Sequence, residues 1–312
     1  MTTPVDLKNL NYYEQEPEDQ TFYDIVFDIT HRCNMECKNC YIPNRLIPDM
    51  RLEEYTAFIK RLTKKIMIRL VGAEPTLHPQ LIDFINIAHK HGHRSVVITN
   101  GLRLASESFV DKLQATNMTH LCMSMNGVDR DDWYEEIDEL RCADKKIKAF
   151  KNVVRRKFFD LSTGHIIVKG VNEDAPERML ALIDKEGVED ITLRIKNVGQ
   201  LGRYMNEVDE NVKLPDLISL TAKQLKVSED WIWSHYGAPN RYTNVVEMNT
   251  IEFPLDPNSK QRYSGRWVKM TDWNTDNGIG IPDPGNTRRG RITADWKVAP
   301  FYEHIKMNEG EY

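Results

Sequence analysis

Three cysteines stand within eight positions of one another in the stretch DITHRCNMECKNCY. Cys33, Cys37 and Cys40 are spaced Cys-x3-Cys-x2-Cys in a chain whose only other cysteines are Cys122 and Cys142. Three thiolates converging from one short loop make a soft, electron-rich site suited to zinc or to an iron-sulfur cluster. A structural zinc site wants four protein ligands, yet neither Cys122 nor Cys142 lies at a companion spacing, and His31 sits only two residues before Cys33. A cubane cluster held by three cysteines leaves one iron unligated, which is the informative vacancy. The odd cysteine count argues against a disulfide framework, and a reducing compartment would keep these thiols free to bind metal.

The elements that must position this loop follow a regular alternation. Short β-branched runs at 22–30, 66–72, 94–101, 119–127, 164–171 and 190–198 read as strands, and helical patterns fill 52–65, 79–92, 108–117, 133–157 and 176–187 between them. Strands alternating with helices imply right-handed β-α-β units and a parallel sheet. A full eight-fold barrel needs about 250 residues, so the expected fold class is α/β, a partial (β/α)6 TIM-type barrel with a C-terminal α+β extension. In such folds chemistry gathers at the C-terminal ends of the strands, and the cysteines sit just after the first one.

Alternation within strands adds detail. Leu121, Met123 and Met125 share one face of their strand while Cys122, Ser124 and Asn126 share the other. Ile191, Leu193 and Ile195 likewise alternate with Thr192, Arg194 and Lys196. An apolar face toward the helices and a polar face toward the interior fits a lumen that holds a polar ligand; a sheet with one solvated face is the competing reading.

Residues 1–20 are polar and acidic and read as a solvated arm, 21–200 as the barrel, and 201–312 as an extension, a separate layer or lid covering the substrate site. That extension holds Trp231, Trp233, Trp267, Trp273 and Trp296, and a basic stretch with Arg288, Arg289 and Arg291. These could close over a phosphate or carboxylate, but core aromatics and solvated arginines are the favoured reading.

Forty per cent hydrophobic residues, a net charge of −5 and a pI near 6.0 give no electrostatic reason to expect a polyanion, so nucleic acid is not an expected partner. No run of 18 or more apolar residues and no basic, apolar leader stand in the sequence; it reads as cytoplasmic, with no membrane partner.

Cys33, Cys37 and Cys40 after the first strand, GAEPTLHP after the second and ITNG ending the third resemble the radical S-adenosylmethionine (radical SAM) superfamily. That resemblance implies a [4Fe-4S] cluster on the three cysteines and S-adenosyl-L-methionine chelated at the open iron. It further implies reductive cleavage to methionine and a 5′-deoxyadenosyl radical that takes hydrogen from a substrate, with an electron donor such as flavodoxin or ferredoxin. Carried over by position, Gly72, Ala73, Glu74 and Pro75 would line the methionine moiety, with a single glycine where the family more often has two. Asn100, in the third-strand motif, and Tyr41 would likewise belong to the cofactor site. Ser124 and Asn126 would contact the ribose and carboxylate of the cofactor, and Arg194 could pair with that carboxylate. The family often has an aromatic residue before the third cysteine to support the adenine; here that position is Asn39, and Tyr41 follows the cysteine.

Cys122 is the candidate catalytic residue, a hydrogen-atom donor to a substrate radical, against the reading of a small buried hydrophobe. Cys142 reads as structural. The absence of cysteines after Cys142 predicts a single cluster, and no segment suited to cobalamin precedes the barrel. Substrates remain open between a small molecule or nucleotide and a peptide side chain. The alternative to an enzyme is a non-catalytic iron-sulfur or zinc-binding module that retains the fold.

Overall fold

The computed structural model describes residues 12–42, 45–156, 158, 160–198, 212–242, 246, 250–259, 262–272, 289–301 and 304–305. The strands β1 (Asp24–Thr30), β2 (Met67–Gly72), β3 (Arg94–Thr99), β4 (His120–Ser124), β5 (Leu161–Ile167) and β6 (Ile191–Asn197) pair in that order and all in parallel. Between them run α1 (Leu52–Arg61), α2 (Leu81–Lys90), α3 (Glu107–Gln114), α4 (Asp131–Asp138), α5 (Ala143–Arg155) and α6 (Ala175–Lys185). The expected partial barrel is therefore present.

The period-2 pattern decides which face goes where. Leu121, Met123, Leu193 and Ile195 are fully buried in the main apolar cluster with Phe27, Phe84 and Phe150. Ser124, Asn126, Arg194 and Lys196, from the opposite face, line an interior cavity. Phe27 anchors the helical side, meeting Tyr55 and Phe58 edge-on at centroid distances of 5.1 and 5.4 Å.

Four expectations are corrected. The helix expected over 133–157 is two, because Glu139 takes a left-handed φ of 51° after α4 and the Asp131 carboxylate accepts from the Ala143 N–H (2.8 Å) at the start of α5. The fifth strand starts at Leu161 rather than 164, since Leu161, Ser162 and Thr163 already pair with β4. The arm is not solvated throughout: Gln15 exchanges two 2.9 Å backbone hydrogen bonds with Val298, and Arg61 binds both Glu16 and Glu18.

The C-terminal strands, finally, are no separate layer. After α7 (Leu214–Leu225) and α8 (Glu229–Trp233), β8 (Arg266–Thr271) pairs in parallel with β6 and antiparallel with β7 (Thr250–Pro254). β9 (Arg289–Ile292) pairs in parallel with β1 and antiparallel with β10 (Val298–Pro300). One sheet of order β10-β9-β1-β2-β3-β4-β5-β6-β8-β7 results, with late chain at both edges. Trp273 and Arg288 lie outside the described residues. Among the described helices none is long and apolar enough to cross a membrane.

β1 and β2 touch at their C-terminal ends. Gly72 has a φ of 126°, and a Cβ there would stand 2.2 Å from the Thr30 carbonyl oxygen. Backbone cannot yield as a flexible side chain can, so Gly72→Ala must separate the strand ends. The expected cost is about 2–4 kcal/mol of stability, read as a lower urea midpoint at unchanged slope.

Candidate active site

The loop after β1 is held over the barrel from two sides. Toward β2, the N–H groups of Ala73 and Glu74 donate to the carbonyls of Thr30 (2.9 Å) and Arg32 (3.0 Å). Toward α4, Lys38 N–H donates to the Ile137 carbonyl (3.0 Å) and the Lys38 amine binds Glu136 (2.6 Å). Met35 plugs the loop into a small cluster of Leu102, Tyr134, Cys142 and Ala143, against which Cys33 and Cys37 also pack.

So placed, Cys33, Cys37 and Cys40 line one cavity of about 220 Å3 with free thiols. Each has its own neighbours. Cys33 Sγ faces the Ala73 carbonyl (3.7 Å) and the Asn100 amide (3.9 Å). Cys40 Sγ accepts from Ile42 N–H (3.4 Å) and from Arg45 (3.5 Å). Burial, reinforced by the charge and hydrogen bond of Asp138, pushes the Cys37 thiol well up. Among the described residues no three acidic, histidine or cysteine side chains converge on a point as one ion would require. Separate thiols around a shared space are what a multi-iron cluster uses, one sulfur to each iron. Asn39 also lines the cavity, and its buried Oδ1 has no hydrogen-bond partner among the described residues. The donor set and the orphaned amide both fit a bound cofactor.

Of the other residues singled out in the sequence, Gly72, Ala73, Asn100, Ser124, Asn126, Arg194, Lys196 and Tyr41 line the same cavity. Tyr41 stands edge-on to Phe301 at 6.2 Å, so a planar apolar wall does follow the third cysteine. Glu74 and Pro75 are not in that lining. The fully buried Glu74 carboxylate accepts from Thr76 N–H (3.0 Å), the Thr76 and Thr99 hydroxyls (2.6 Å for Thr99) and Asn100 N–H (2.6 Å), and Pro75 opens the short turn that Glu74 caps. Its role is to tie the ends of β2 and β3, because its acceptor capacity is spent on the wall. Asn126 is similarly occupied, donating to Asp138 (2.9 Å) and accepting from Ile166 N–H (3.0 Å).

Asp138 and Lys146 were not foreseen. Both are buried cavity residues; the Lys146 amine donates to the carbonyls of Asn100 and Ser124 (2.9 Å for Ser124) and faces the Tyr134 ring at 5.3 Å. The charge of Lys146 acts on Asp138, whose carboxyl burial nonetheless pushes up. They sit on α4 and α5, and the break between those helices, invisible to periodicity, turns both inward.

Arg289 and Arg291 are not solvated. Arg289 donates to Asp24 (2.9 Å) and Arg291 to Asp28 (2.6 Å) inside the sheet.

Cys122 lies below the cavity lining, with Arg194 donating to its sulfur at 3.2 Å. His120 beside it bridges Asp160 (2.5 Å) and Ser162 (2.8 Å). Burial alone would raise this thiol, but the Arg194 charge, then hydrogen bonds from His120 and Ser162, bring it to about 5. The Arg194 contact makes Cys122 an anchor that aims that guanidinium.

Residues 27–183, half of the chain, match the Radical SAM superfamily. The chain belongs to that family, whose cofactors are a [4Fe-4S] cluster and S-adenosylmethionine. It is 23% identical over 213 residues to a probable GTP 3′,8-cyclase of Saccharolobus solfataricus, covering 64% of this chain and 68% of that one. Its identity to a PqqA peptide cyclase of Xanthomonas campestris is 29% over 173 residues, covering 54% and 45%. The fold is like that of Streptococcus suis SuiB bound to S-adenosylmethionine, with a TM-score of 0.54, 14% identity, and coverage of 65% of this chain and 46% of that one. The chain spans 68% of the length of the first of these relatives, 45% of the second and 27% of an Fe-coproporphyrin III synthase of Methanosarcina barkeri.

The Cys122 assignment has a direct readout. Ultraviolet thiolate absorbance, taken as the difference between the protein and its Cys122→Ser variant, is expected to titrate near pH 5 rather than near 9. Because the folded value is depressed, the stability this thiolate contributes is full above the unfolded value near 9 and is lost as pH falls through about 5. Thermal stability therefore rises with pH between 6 and 8, and less steeply in Cys122→Ser; a thiol that titrates near 9 would sink the assignment.

Proposed function

We propose that this chain catalyses a radical reaction begun by reductive cleavage of S-adenosylmethionine, as the sequence motifs imply. The observation that carries the reading is the ring of Cys33, Cys37 and Cys40 around one cavity whose other walls are Gly72–Ala73, Asn100, Ser124 and Tyr41. When bound, the cluster and S-adenosylmethionine supply an electron and a 5′-deoxyadenosyl radical able to take hydrogen from an unactivated carbon.

The chain's own residues hold, orient and exclude water. Cys33, Cys37 and Cys40 are the three ligands, and the hydrogen bonds from Ile42 N–H and Arg45 stabilise the Cys40 thiolate, a means of tuning a cluster's potential. The Gly72–Ala73 backbone offers carbonyl acceptors to an amino group, and the Thr30 contact fixes its height above the loop. Tyr41, Ile42 and Phe301 supply apolar surface for a base and keep water from the reacting carbon. Asp138 and Lys146 brace the loop from the helical side and hold the ends of β3 and β4 in register.

The substrate is a small molecule, a nucleotide or a peptide side chain, and the electron comes from a donor such as flavodoxin or ferredoxin. Anaerobic reconstitution of the full chain is expected to yield about four irons per chain in a brown protein that forms 5′-deoxyadenosine and methionine upon reduction. Cys33→Ala is expected to lose both cluster and products. A colourless wild-type protein holding a single zinc would end this reading.

A further inference from the structure

Four basic side chains from the strands line the lumen beneath the cysteine loop. Arg69 on β2, Arg194 and Lys196 on β6, and Arg289 on β9 all line the cavity. Asp24 serves two of them, accepting from Arg69 at 2.8 Å and from Arg289 at 2.9 Å. Arg194 has the Cys122 sulfur. Among the described lining residues Asp138 is the only carboxylate, and it sits with Lys146 on the helical side.

Two donor atoms of this group are orphaned. Arg69 Nε and Arg194 Nε are buried with no hydrogen-bond partner among the described residues. A buried donor without an acceptor costs about 1–3 kcal/mol, more when charged, so such atoms point to a group that arrives with a ligand. Burial, then the charge of Arg194, holds the Lys196 amine well below its ordinary range against the opposing pull of the Cys122 sulfur.

We propose that the substrate carries an anionic group, a carboxylate or a phosphate, which docks in the lumen against Arg69, Arg194, Lys196 and Arg289. This deepens the radical reading of the same cavity and rests on it. Planar guanidinium forks from β2, β6 and β9, with the Lys196 amine beside Arg194 on β6, suit an oxyanion with several oxygens, and Val26, Val71 and Ile98 add apolar wall to the same cavity. The arrangement anchors the substrate by its charged end, so that the hydrogen to be removed faces the cofactor side of the cavity.

The test uses the full, reconstituted chain in thermal unfolding with inorganic phosphate or succinate, against sodium chloride at equal ionic strength. At a few multiples of the dissociation constant, one anion is expected to raise Tm by about 2–4 °C, and the more effective one identifies the source as phosphate or carboxylate. Lys196→Met and Arg69→Met are each expected to lose at least half of that rise. Saturating S-adenosylmethionine should leave it in place. No rise beyond chloride, an equal rise in both variants, or abolition by S-adenosylmethionine, which would give the cations to the cofactor's own carboxylate, overturns the proposal. Iron content and 5′-deoxyadenosine from the wild-type chain are scored separately, so a failure of the radical reading is distinguishable from a failure of this one.

Discussion

The site depends on one backbone approach, the meeting of β1 and β2 where the cysteine loop departs. Thr30, Arg32, Ala73 and Glu74 are joined by main-chain hydrogen bonds of 2.9 and 3.0 Å, and only a glycine at 72 permits that spacing. The Glu74 carboxylate then fastens the end of β3 through Thr99 and Asn100. Hydrogen bonds to a buried carboxylate are worth about 1.5–3 kcal/mol each, so this junction is stiff, and the thiols inherit its stiffness. A loop of eight residues could not hold three sulfurs apart around a cavity without such a base.

The second constraint is electrostatic. Packed barrels of this kind fill their interiors with aliphatic side chains, whereas this one places Asp24, Asp28, Arg69, Arg194 and Arg291 inside. Charges taken out of water are tolerated when paired, and these are: Arg291 with Asp28, Arg69 with Asp24 at 2.8 Å, Arg194 with the Cys122 sulfur. An interior of this sort adds little to stability for its size. It is a preorganised field, fixed before any ligand enters.

How much of this was legible in the sequence follows from the range of each interaction. The strands, the helices and the polar inward faces of β4 and β6 are set by spacings of two to four residues, which periodicity reads directly. The cysteine loop was legible because its chemistry is local. The tie that Glu74 makes to β3 was not legible because its partners, Thr99 and Asn100, stand 25 and 26 residues away. Lys146 and Asp138 were missed because an amphipathic helix continuing through Glu139 looks the same in sequence as two helices that turn inward. Arg291 meets Asp28 across 263 residues, a pairing no local pattern announces, and a polar, glycine-rich stretch before it suggested solvent instead.

The cavity is built from two parts of the chain. The cysteine loop, Gly72–Ala73, Asn100 and Ser124 all lie within residues 27–183, the part shared with the superfamily. Arg194, Lys196 and Arg289 lie beyond it, on β6 and on a strand that the late chain adds to the opposite edge of the sheet. A partial barrel leaves both edge strands unpaired, and here the same late segment covers both, bringing Lys196 and Arg289 into one lumen. Loss of edge exposure is the physical reason for the added strands to dock there at all.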